Sequence, residues 1–392
     1  MYQQRIVIVG AGIVGLSTAY ALLQQGMKHV TVLEQVAVGH RRGTSCGMSR
    51  LLRFEYGADA LYSEMVRLSL KRWRALEQTT RRTLYTPTGL LVLGKQGDNF
   101  TQPSYLTLRT LGLPTRHLSR YECQHIFPQF DLTPYDQFTY NTEAGILHAS
   151  TCLQTLKASI LDLGGKIYEA QRVMQVVHDS SRLPVRLHLQ NSEDVLADRV
   201  VLAVGPWVHR LLEELYLPIR MTRQYLLYFA NLPLSSFGLS RFPAFLADEL
   251  YGFPIHPTDC SGYGPCWFKA TSHAFGASID PDEVPRVDER VITQVKRKLC
   301  DLFPALIHAK LARVDSCMYD VSPDEDFILD YHPDDPRIVL ATGLTGHGFK
   351  FGPLLGEILS NLVRGTPPIV PMQRFRLARF LQSRQHEVAS VA

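Results

Sequence analysis

Short apolar runs recur along the chain and predict buried strands. They cover residues 6–9, 30–33, 90–93, 200–204 and 338–342. Glycine or polar residues bound each run, as is typical of short buried strands. Further strands are predicted over residues 166–169, 172–177 and 185–189. Three of the apolar runs stop directly at a glycine, at Gly10, Gly205 and Gly343.

Apolar residues at helical spacing predict amphipathic helices between these strands. The helices are expected over residues 60–82, 151–163 and 287–303, and residues 141–150 predict a turn followed by the start of a helix. Residues 95–140 give no clear pattern. The strands and helices interleave along the whole chain, which favours an α/β fold.

The first strand leads into a glycine turn with a definite spacing. Gly10, Gly12 and Gly15 form G-x-G-x-x-G, a helix is expected from Ile13 to Gln25, and the second strand ends at Glu34. This spacing permits a tight turn, lets backbone N–H groups approach a pyrophosphate and lets helix and strand pack closely, while the terminal acid is placed for ribose hydroxyls. The segment predicts dinucleotide binding; a glycine turn without a ligand is the alternative.

Composition narrows the class of protein. The chain has 392 residues, a formal net charge of +4 and seven scattered cysteines without a C-x-x-C pair. The length predicts two domains, and the small charge does not indicate nucleic acid. The cysteine pattern argues against a disulfide framework or a zinc site. The N-terminal apolar run resembles a signal peptide, but its glycine spacing and the acid that ends the second strand fit a nucleotide-binding fold better. No later stretch is long and apolar enough to span a membrane, so a cytoplasmic protein is expected.

Basic residues gather in three places. Arg50 and Arg53 are three apart, so on a helical turn both would face one way and could hold a carboxylate; a solvated basic face is the alternative. Lys269 and His273 would share one side of an extended segment, with a structural role for His273 as the alternative.

The third basic place is Lys350. It follows a glycine loop that feeds a helix near Pro353 and could form a second anion site. Residues 221–275 are dense in aromatics and prolines, which predicts a sheet-rich second domain with a partly aromatic pocket wall, although core packing explains most of these side chains.

Five motifs together resemble the monomeric sarcosine oxidase branch of the D-amino-acid-oxidase-like flavoproteins. This branch includes N-methyl-tryptophan oxidase and pipecolate oxidase. The motifs are SCGMSRLLR at 45–53, YGFP at 251–254, the Lys269 and His273 pair, SCMYDVSPDEDFILD at 316–330 and GHGFKF at 346–351. The resemblance spans essentially the whole chain and implies FAD. It implies a Rossmann-like FAD-binding domain (1–88, 142–220, 314–392) interleaved with an α+β substrate domain (89–141, 221–313) on a large mixed or antiparallel sheet.

The resemblance also implies roles for individual residues. Cys317 would carry the flavin through a thioether, Lys269 would serve the reaction with O₂, and Arg53 with Lys350 would bind the substrate carboxylate. The catalytic residues would be Lys269, Arg50, His273, Tyr251 and Tyr319, with Tyr251 and Gly346 also touching substrate. The residues expected to contact the cofactor are Gly10, Gly12, Ile13, Val14, Gly15, Glu34, Gln35, Ser45, Arg50, Gly205, Trp207, Cys317, Gly343, Gly346, Gly348, Phe349 and Lys350.

Two segments depart from the family pattern. Cys46 and Met48 replace a histidine and a polar residue beside the flavin, and residues 255–266 look differently built. These departures leave the expectation of flavin binding and oxidation unchanged, but they leave the identity of the substrate open. The expected function is FAD-dependent oxidation of a secondary amino acid, such as sarcosine, proline or pipecolate, by a monomer. Hydride transfer to flavin N5 would give an imine, and O₂ would become H₂O₂.

Several alternatives to this function stay open. The enzyme could pass electrons to another acceptor, act on primary amines as glycine oxidase does, or use nicotinamide. The chain could also bind flavin without catalysing a reaction.

Overall fold

The computed structural model describes residues 3–178, 184–256, 267–283 and 287–380. Its strands, in chain order, are β1 Arg5–Val9, β2 His29–Leu33, β3 Ser49–Leu52, β4 Tyr85–Thr86, β5 Leu90–Gly94, β6 Arg116–His117, β7 Gln137–Asn141, β8 Gly145–His148, β9 Lys166–Tyr168, β10 Val173–Val177, β11 Val185–Leu189, β12 Asp194–Ala197, β13 Arg199–Leu202, β14 Arg220–Ala230, β15 Ala244–Ala247, β16 Leu250–Phe253, β17 Phe268–Ser272, β18 Lys310–Val321, β19 Ile328–Tyr331 and β20 Ile338–Thr342. The α-helices are α1 Ile13–Gln24, α2 Ala60–Thr80, α3 Thr101–Thr110, α4 Arg120–Ile126, α5 Ala149–Asp162, α6 Val208–Leu211, α7 Leu234–Phe237, α8 Glu289–Leu302 and α9 Gly352–Arg364.

A six-stranded sheet holds the first glycine turn. Its order is β19-β20-β13-β1-β2-β9, and all neighbours are parallel except β19 and β20. The strands that end before Gly10, Gly205 and Gly343 are the adjacent β1, β13 and β20. Because carboxyl ends of parallel strands meet at one edge, the three glycines follow the same edge of the sheet, where open α/β sheets bind ligands.

The second large sheet has eight strands in the order β18-β14-β17-β16-β15-β5-β7-β6. Its neighbours are antiparallel except β15 and β5. Strands β14 and β18 pair over their length, which sets Cys317 opposite Gln224 and Tyr319 opposite Thr222. The structure therefore has the expected α/β fold with a large mixed sheet. The boundaries predicted at residues 221 and 314 fall inside β14 and β18, so both strands cross them.

Aromatic side chains of the 221–275 stretch serve mainly as core. The rings of Phe242 and Phe130 stack at 5.1 Å between centroids, and Phe245 lies 4.9 Å from Phe303. These four rings belong to one buried cluster behind the eight-stranded sheet. Packing thus explains most of the aromatic density, and few of these rings are left to form a pocket.

Two segments differ locally from the sequence patterns. Arg50 lies on β3, which pairs with β8, so the segment of Arg50 and Arg53 is extended and not a helical turn. Residues 141–150 contain the expected turn and the start of α5 at Ala149, but residues 145–148 between them form strand β8, which was not expected. In both places pairing with a distant strand decides the conformation. Most of the unusual 255–266 segment, residues 257–266, lies outside the described residues.

The helices were examined for a segment that could span a membrane. Among residues 3–178, 184–256, 267–283 and 287–380, no helix is both long and apolar enough to cross a bilayer.

Candidate active site

The turn after β1 is shaped for a ligand. Gly10 has φ +100°, and a Cβ there would lie 2.4 Å from the backbone oxygen of Ala203, so only glycine fits. The first helical N–H, of Ile13, donates to Ser45 Oγ at 3.0 Å. Ser45 thus ties the loop before β3 to the N-terminus of α1, whose other N–H groups remain available for an anion.

Glu34 ends β2 as a buried carboxylate. Its Oε2 accepts from the Ala11 N–H at 2.8 Å and its Oε1 from the Val36 N–H at 3.0 Å, with His40 Nε2 at 3.3 Å. Burial opposes the charged form, but these hydrogen bonds outweigh it and hold the pKa of Glu34 below its ordinary value. Glu34 therefore braces the glycine turn and stands as a carboxylate at the edge of the adjoining cavity.

That cavity, the nucleotide cavity, has a volume of about 200 Å³. It collects residues predicted to contact a dinucleotide, from four separate parts of the chain. Its walls include Gly10, Gly12, Glu34, Gln35, Ser45, Gly205 and Trp207. The predicted Val14 and Gly15 lie buried in α1 and do not line it.

A narrow space of about 60 Å³, the bridging cavity, continues from the nucleotide cavity. The two share Thr44 and Ser45 as wall residues. The predicted residues that line the bridging cavity are Ile13, Ser45, Arg50, Tyr251, Cys317, Tyr319, Gly346, Gly348 and Phe349. Gly343 does not line it but forms the turn after β20 with φ +65°.

The largest of the three, the substrate cavity, has a volume of about 500 Å³. It shares Arg50, Tyr251, Tyr319, Gly346 and Phe349 with the bridging cavity, so the three spaces adjoin one another in a row. Its predicted residues are Arg50, Arg53, Tyr251, His273, Tyr319, Gly346, Phe349 and Lys350. Gly346 makes room here, because a Cβ at its φ of +71° would lie 2.4 Å from the Tyr319 ring.

Two cations of the substrate cavity have no ion-pair partner among the described residues. Arg53 lies over the rings of Tyr56 and Phe100, and its buried Nη1 has no hydrogen-bond partner among the described residues. Lys350 is 3 % exposed, and its Nζ donates to the His347 backbone oxygen at 3.1 Å. Burial, then the nearby Arg53 charge, hold the pKa of Lys350 well below its ordinary value. An added carboxylate would relieve both effects.

Three other polar groups of the cavity, His273, Tyr251 and Tyr319, are held neutral. Burial, then the charges of Arg53 and Lys350, lower the pKa of His273 to about 4. Burial raises the pKa of Tyr251 to about 12, and its hydroxyl hydrogen-bonds that of Tyr319, whose pKa is also raised. The cavity therefore offers neutral hydrogen-bonding groups beside Arg53 and Lys350.

Lys269 is buried behind this wall. Its Nζ donates to the Ser49 backbone oxygen at 2.9 Å and lies 5.1 Å from the centre of the Phe253 ring. It does not line the substrate cavity itself. Arg50, the next residue after Ser49, donates to the backbone oxygens of Thr44 and Ser49 and lies over the Phe349 ring.

Sequence reasoning missed three polar residues of the site. Tyr56 hydrogen-bonds His347 Nδ1 at 3.1 Å beside Lys350, and Asp320 lies in the bridging cavity, where it accepts from the Leu344 N–H at 3.2 Å. His347 and Asp320 stand inside the quoted motifs, so the motifs carried a signal. Tyr56 carried none, because only the tertiary fold brings it to His347.

Comparison with known proteins decides the family. The model of the family described as FAD dependent oxidoreductase matches residues 5–362. The chain belongs to the FAD-dependent oxidoreductases. Peroxisomal sarcosine oxidase of Mus musculus is 32 % identical over 384 residues, 95 % of each chain, and monomeric sarcosine oxidase of Bacillus sp. (strain B-0618) is 29 % identical over 367 residues, 91 % of each. The crystal structure of L-proline dehydrogenase from P. horikoshii is similar in fold, with a TM-score of 0.83, 18 % identity and 97 % and 98 % coverage.

The residues present fit FAD. The nucleotide cavity has a glycine turn, a helix N-terminus and a buried carboxylate, as an ADP group needs. The bridging cavity leads from there past Cys317 to the substrate cavity. This FAD-dependent oxidoreductase would hold the nucleotide end between Gly10 and Glu34 and the flavin end near Arg50, Gly346 and Phe349.

Proposed function

We propose that this FAD-dependent oxidoreductase is an oxidase of secondary amino acids. The observation that carries the proposal is the pair of cations, Arg53 and Lys350, in one cavity without an acidic partner among the described residues. Buried cations without counter-ions are costly unless a ligand supplies the charge. An amino-acid carboxylate has the charge and the two acceptor atoms that a guanidinium and an ammonium recognise.

The same two cations would set the state of the substrate amine. Positive charge close to an amine lowers its affinity for a proton. Since His273 is neutral above a pKa of about 4, it adds no charge and its ring can accept a hydrogen bond from the amine. The site thus favours a neutral amine beside a bound carboxylate. FAD, when bound, accepts a hydride equivalent from the adjacent C–H bond and passes the electrons to O₂, giving H₂O₂.

Tyr251 and Tyr319 would orient the substrate. Their hydroxyls form a hydrogen-bonded pair in the wall shared by the bridging and substrate cavities. Because burial keeps both in the protonated form, they donate and accept hydrogen bonds but add no charge. We assign to them the alignment of the C–H bond towards the flavin end.

Cys317 is proposed to bear the flavin covalently. Cys317 lines the bridging cavity, beside the place proposed for the flavin ring. Burial raises the pKa of the Cys317 thiol to about 11, and the Arg50 charge opposes that rise. Arg50 would therefore assist formation of the thiolate. Its bond to a ring methyl carbon would replace a C–H bond, whose proton would leave and whose electron pair would pass to the flavin and then to O₂. Lys269 is proposed to face O₂, where a fixed positive charge stabilises a developing superoxide.

The relatives suggest candidate substrates. The mouse and Bacillus relatives are named sarcosine oxidases, so sarcosine, other N-methyl amino acids and the cyclic proline and pipecolate come first. A dehydrogenase with another electron acceptor is the second candidate, because the P. horikoshii L-proline dehydrogenase shares the fold. The buried cation Lys269 favours the oxidase.

The broader assignments are part of the same proposal. They comprise an FAD-binding domain from residues 1–88, 142–220 and 314–392, a substrate domain from 89–141 and 221–313, a monomer and a cytoplasmic location.

The deciding experiment compares amines with and without a carboxylate. Sarcosine, N-methyl-L-alanine, L-proline and L-pipecolate are offered to the purified holoenzyme under air beside their decarboxylated partners dimethylamine, N-ethylmethylamine, pyrrolidine and piperidine, and H₂O₂ is measured by a coupled peroxidase. We expect turnover of at least one acid. The kcat/KM of its decarboxylated partner should be lower by a factor of about 100 or more, because two charged contacts are lost. Equal rates for acids and simple amines would refute the carboxylate assignment.

A further inference from the structure

A fourth cavity, the arginine cavity, adjoins Cys317. Its volume is about 340 Å³, and its walls include Arg41, Arg42, Arg223 and Arg313 together with Cys46. It shares Leu226, Cys317 and Met318 with the bridging cavity. It shares no wall residue with the substrate cavity. A molecule bound in it would therefore be next to the cofactor but apart from the substrate.

Positive charge predominates in the arginine cavity. Against four arginines its walls contain two acids, Glu283 and Asp315. Asp315 accepts from Arg313 Nε at 2.7 Å. Arg42 pairs with Asp282 from outside the walls at 3.0 Å. In both pairs the carboxylate binds an arginine other than Arg223.

Arg223 is the unusual member. It lies on β14 opposite Met318 of β18, and it is only 8 % exposed. Among the described residues its guanidinium has no hydrogen-bond or ion-pair partner, and Glu283 is beyond ion-pair distance. A guanidinium has five N–H donors, and burying them without acceptors is costly. Since Arg223 lines a cavity, a ligand with acceptor oxygens can supply what the chain does not.

We propose that the arginine cavity is a second anion-binding site, centred on Arg223, that takes a small oxyanion, either a carboxylate or a phosphate group. Both present the paired oxygens that a guanidinium binds through two parallel hydrogen bonds. The site goes beyond the proposed amine oxidation, because Arg53 and Lys350, which would hold the substrate carboxylate, lie in a separate cavity. Its ligand contacts the Cys317 side of the cofactor cavity and is not consumed.

Calorimetric titration of the holoprotein with inorganic phosphate, and separately with acetate, tests the proposal at constant ionic strength. Four proteins are compared: wild type, Arg223→Gln, Arg53→Gln and the exposed-surface control Arg241→Gln. We expect a saturable site that Arg223→Gln weakens about tenfold or more, the effect of losing a charged hydrogen-bond donor. Arg53→Gln and Arg241→Gln should leave this site intact. The tighter of the two probes identifies the oxyanion.

Results of three kinds would overturn the proposal. They are the absence of saturable binding, binding that Arg223→Gln does not change, and binding that only Arg53→Gln removes. In the last case the anion occupies the substrate cavity, and the proposed function stands while the second site does not. Failure to oxidise any amino acid would refute the proposed function alone.

A measurement on the wild type avoids any folding defect of Arg223→Gln. Cys46 lines the arginine cavity and is partly exposed, so a bound anion should slow its alkylation by iodoacetamide, as followed by peptide mass spectrometry. Cys300, on α8 and also partly exposed, is the internal control and should react at an unchanged rate. The anion would be bound elsewhere if phosphate, at concentrations that saturate the calorimetric signal, left the alkylation rate of Cys46 unchanged or slowed Cys46 and Cys300 equally.

Discussion

Lys269 Nζ donates a 2.9 Å hydrogen bond to the backbone oxygen of Ser49, across 220 residues of sequence. The bond joins β17 of the eight-stranded sheet to β3, which carries Arg50 at the junction of the bridging and substrate cavities. The contact fixes a buried cation directly behind the proposed flavin end. It is the physical basis for assigning Lys269 to the reaction with O₂.

Lys269→Met removes this charge and keeps a side chain of similar length. We expect the rate of reoxidation by O₂ to fall by two orders of magnitude or more, as when an electrostatic stabiliser is removed, while anaerobic reduction by substrate changes little. Stopped-flow absorbance measures both half-reactions. Lys269→Arg, which retains the charge, should recover part of the oxygen rate. Equal slowing of both half-reactions in Lys269→Met would contradict the assignment.

The carboxylate site should respond to either of its cations. Arg53→Gln and Lys350→Gln are each expected to lower kcat/KM by about 10- to 100-fold, since each removes one charge-assisted hydrogen bond. Steady-state kinetics on the best secondary amino acid gives the values, and Lys71→Gln, on the exposed face of α2, is the matched control. Unchanged kcat/KM in both variants would show that the carboxylate binds elsewhere.

Covalent attachment at Cys317 has a visible test. Acid precipitation of the wild type should leave the yellow colour in the pellet, because a thioether survives denaturation. Cys317→Ser should release the colour into the supernatant, and Cys300→Ser should behave as the wild type. Colour that stays in the pellet of Cys317→Ser would assign the bond to a different residue, and colour released by the wild type would exclude a covalent bond.

Asp320 should make stability fall with rising pH. Burial raises its pKa from 3.8 to about 6, although the Leu344 N–H and neighbouring donors oppose the rise. Between these values the unfolded chain loses its proton first, so the stabilising effect of the neutral acid is full below pH 3.8 and is lost as pH rises to about 6. At pH 8 the buried charge then costs about 3 kcal/mol.

Asp320→Asn removes that charge and keeps one acceptor oxygen. We expect its free energy of unfolding at pH 8 to exceed that of the wild type by up to about 3 kcal/mol, and the difference to vanish near pH 4. Denaturant unfolding at both pH values measures this, with the exposed-residue variant Asp301→Asn as control. An Asn variant that is less stable than the wild type at pH 8 would show that the carboxylate is stabilised in its charged form.

The strands that end at Gly10, Gly205 and Gly343 could be predicted from sequence, because buried parallel strands are apolar throughout and stop at the residue that the turn requires. The family motifs then named some wall residues of the bridging and substrate cavities, including Arg53, Lys350 and Cys317. These residues reach the site from separate parts of the chain, and only a resemblance could bring them together beforehand.

What sequence reasoning missed depends on tertiary pairing. Nothing in residues 50–53 distinguishes a helical turn from β3, because the choice rests on hydrogen bonds to β8, almost a hundred residues later. Neither the pairing of Tyr56 with His347 nor the unpartnered guanidinium of Arg223 has a local pattern. Likewise, that Asp98, Asp248 and Glu249 line the substrate cavity follows only from the fold.

The most direct test of the account is the ratio of H₂O₂ formed to secondary amino acid consumed under air. The purified holoenzyme is given its best substrate, and peroxide and remaining amine are measured in the same samples. An oxidase with the carboxylate held by Arg53 and Lys350 predicts one H₂O₂ for each amino acid oxidised. A ratio near zero, with the amino acid still consumed once an artificial electron acceptor is added, would contradict the oxidase and establish the dehydrogenase.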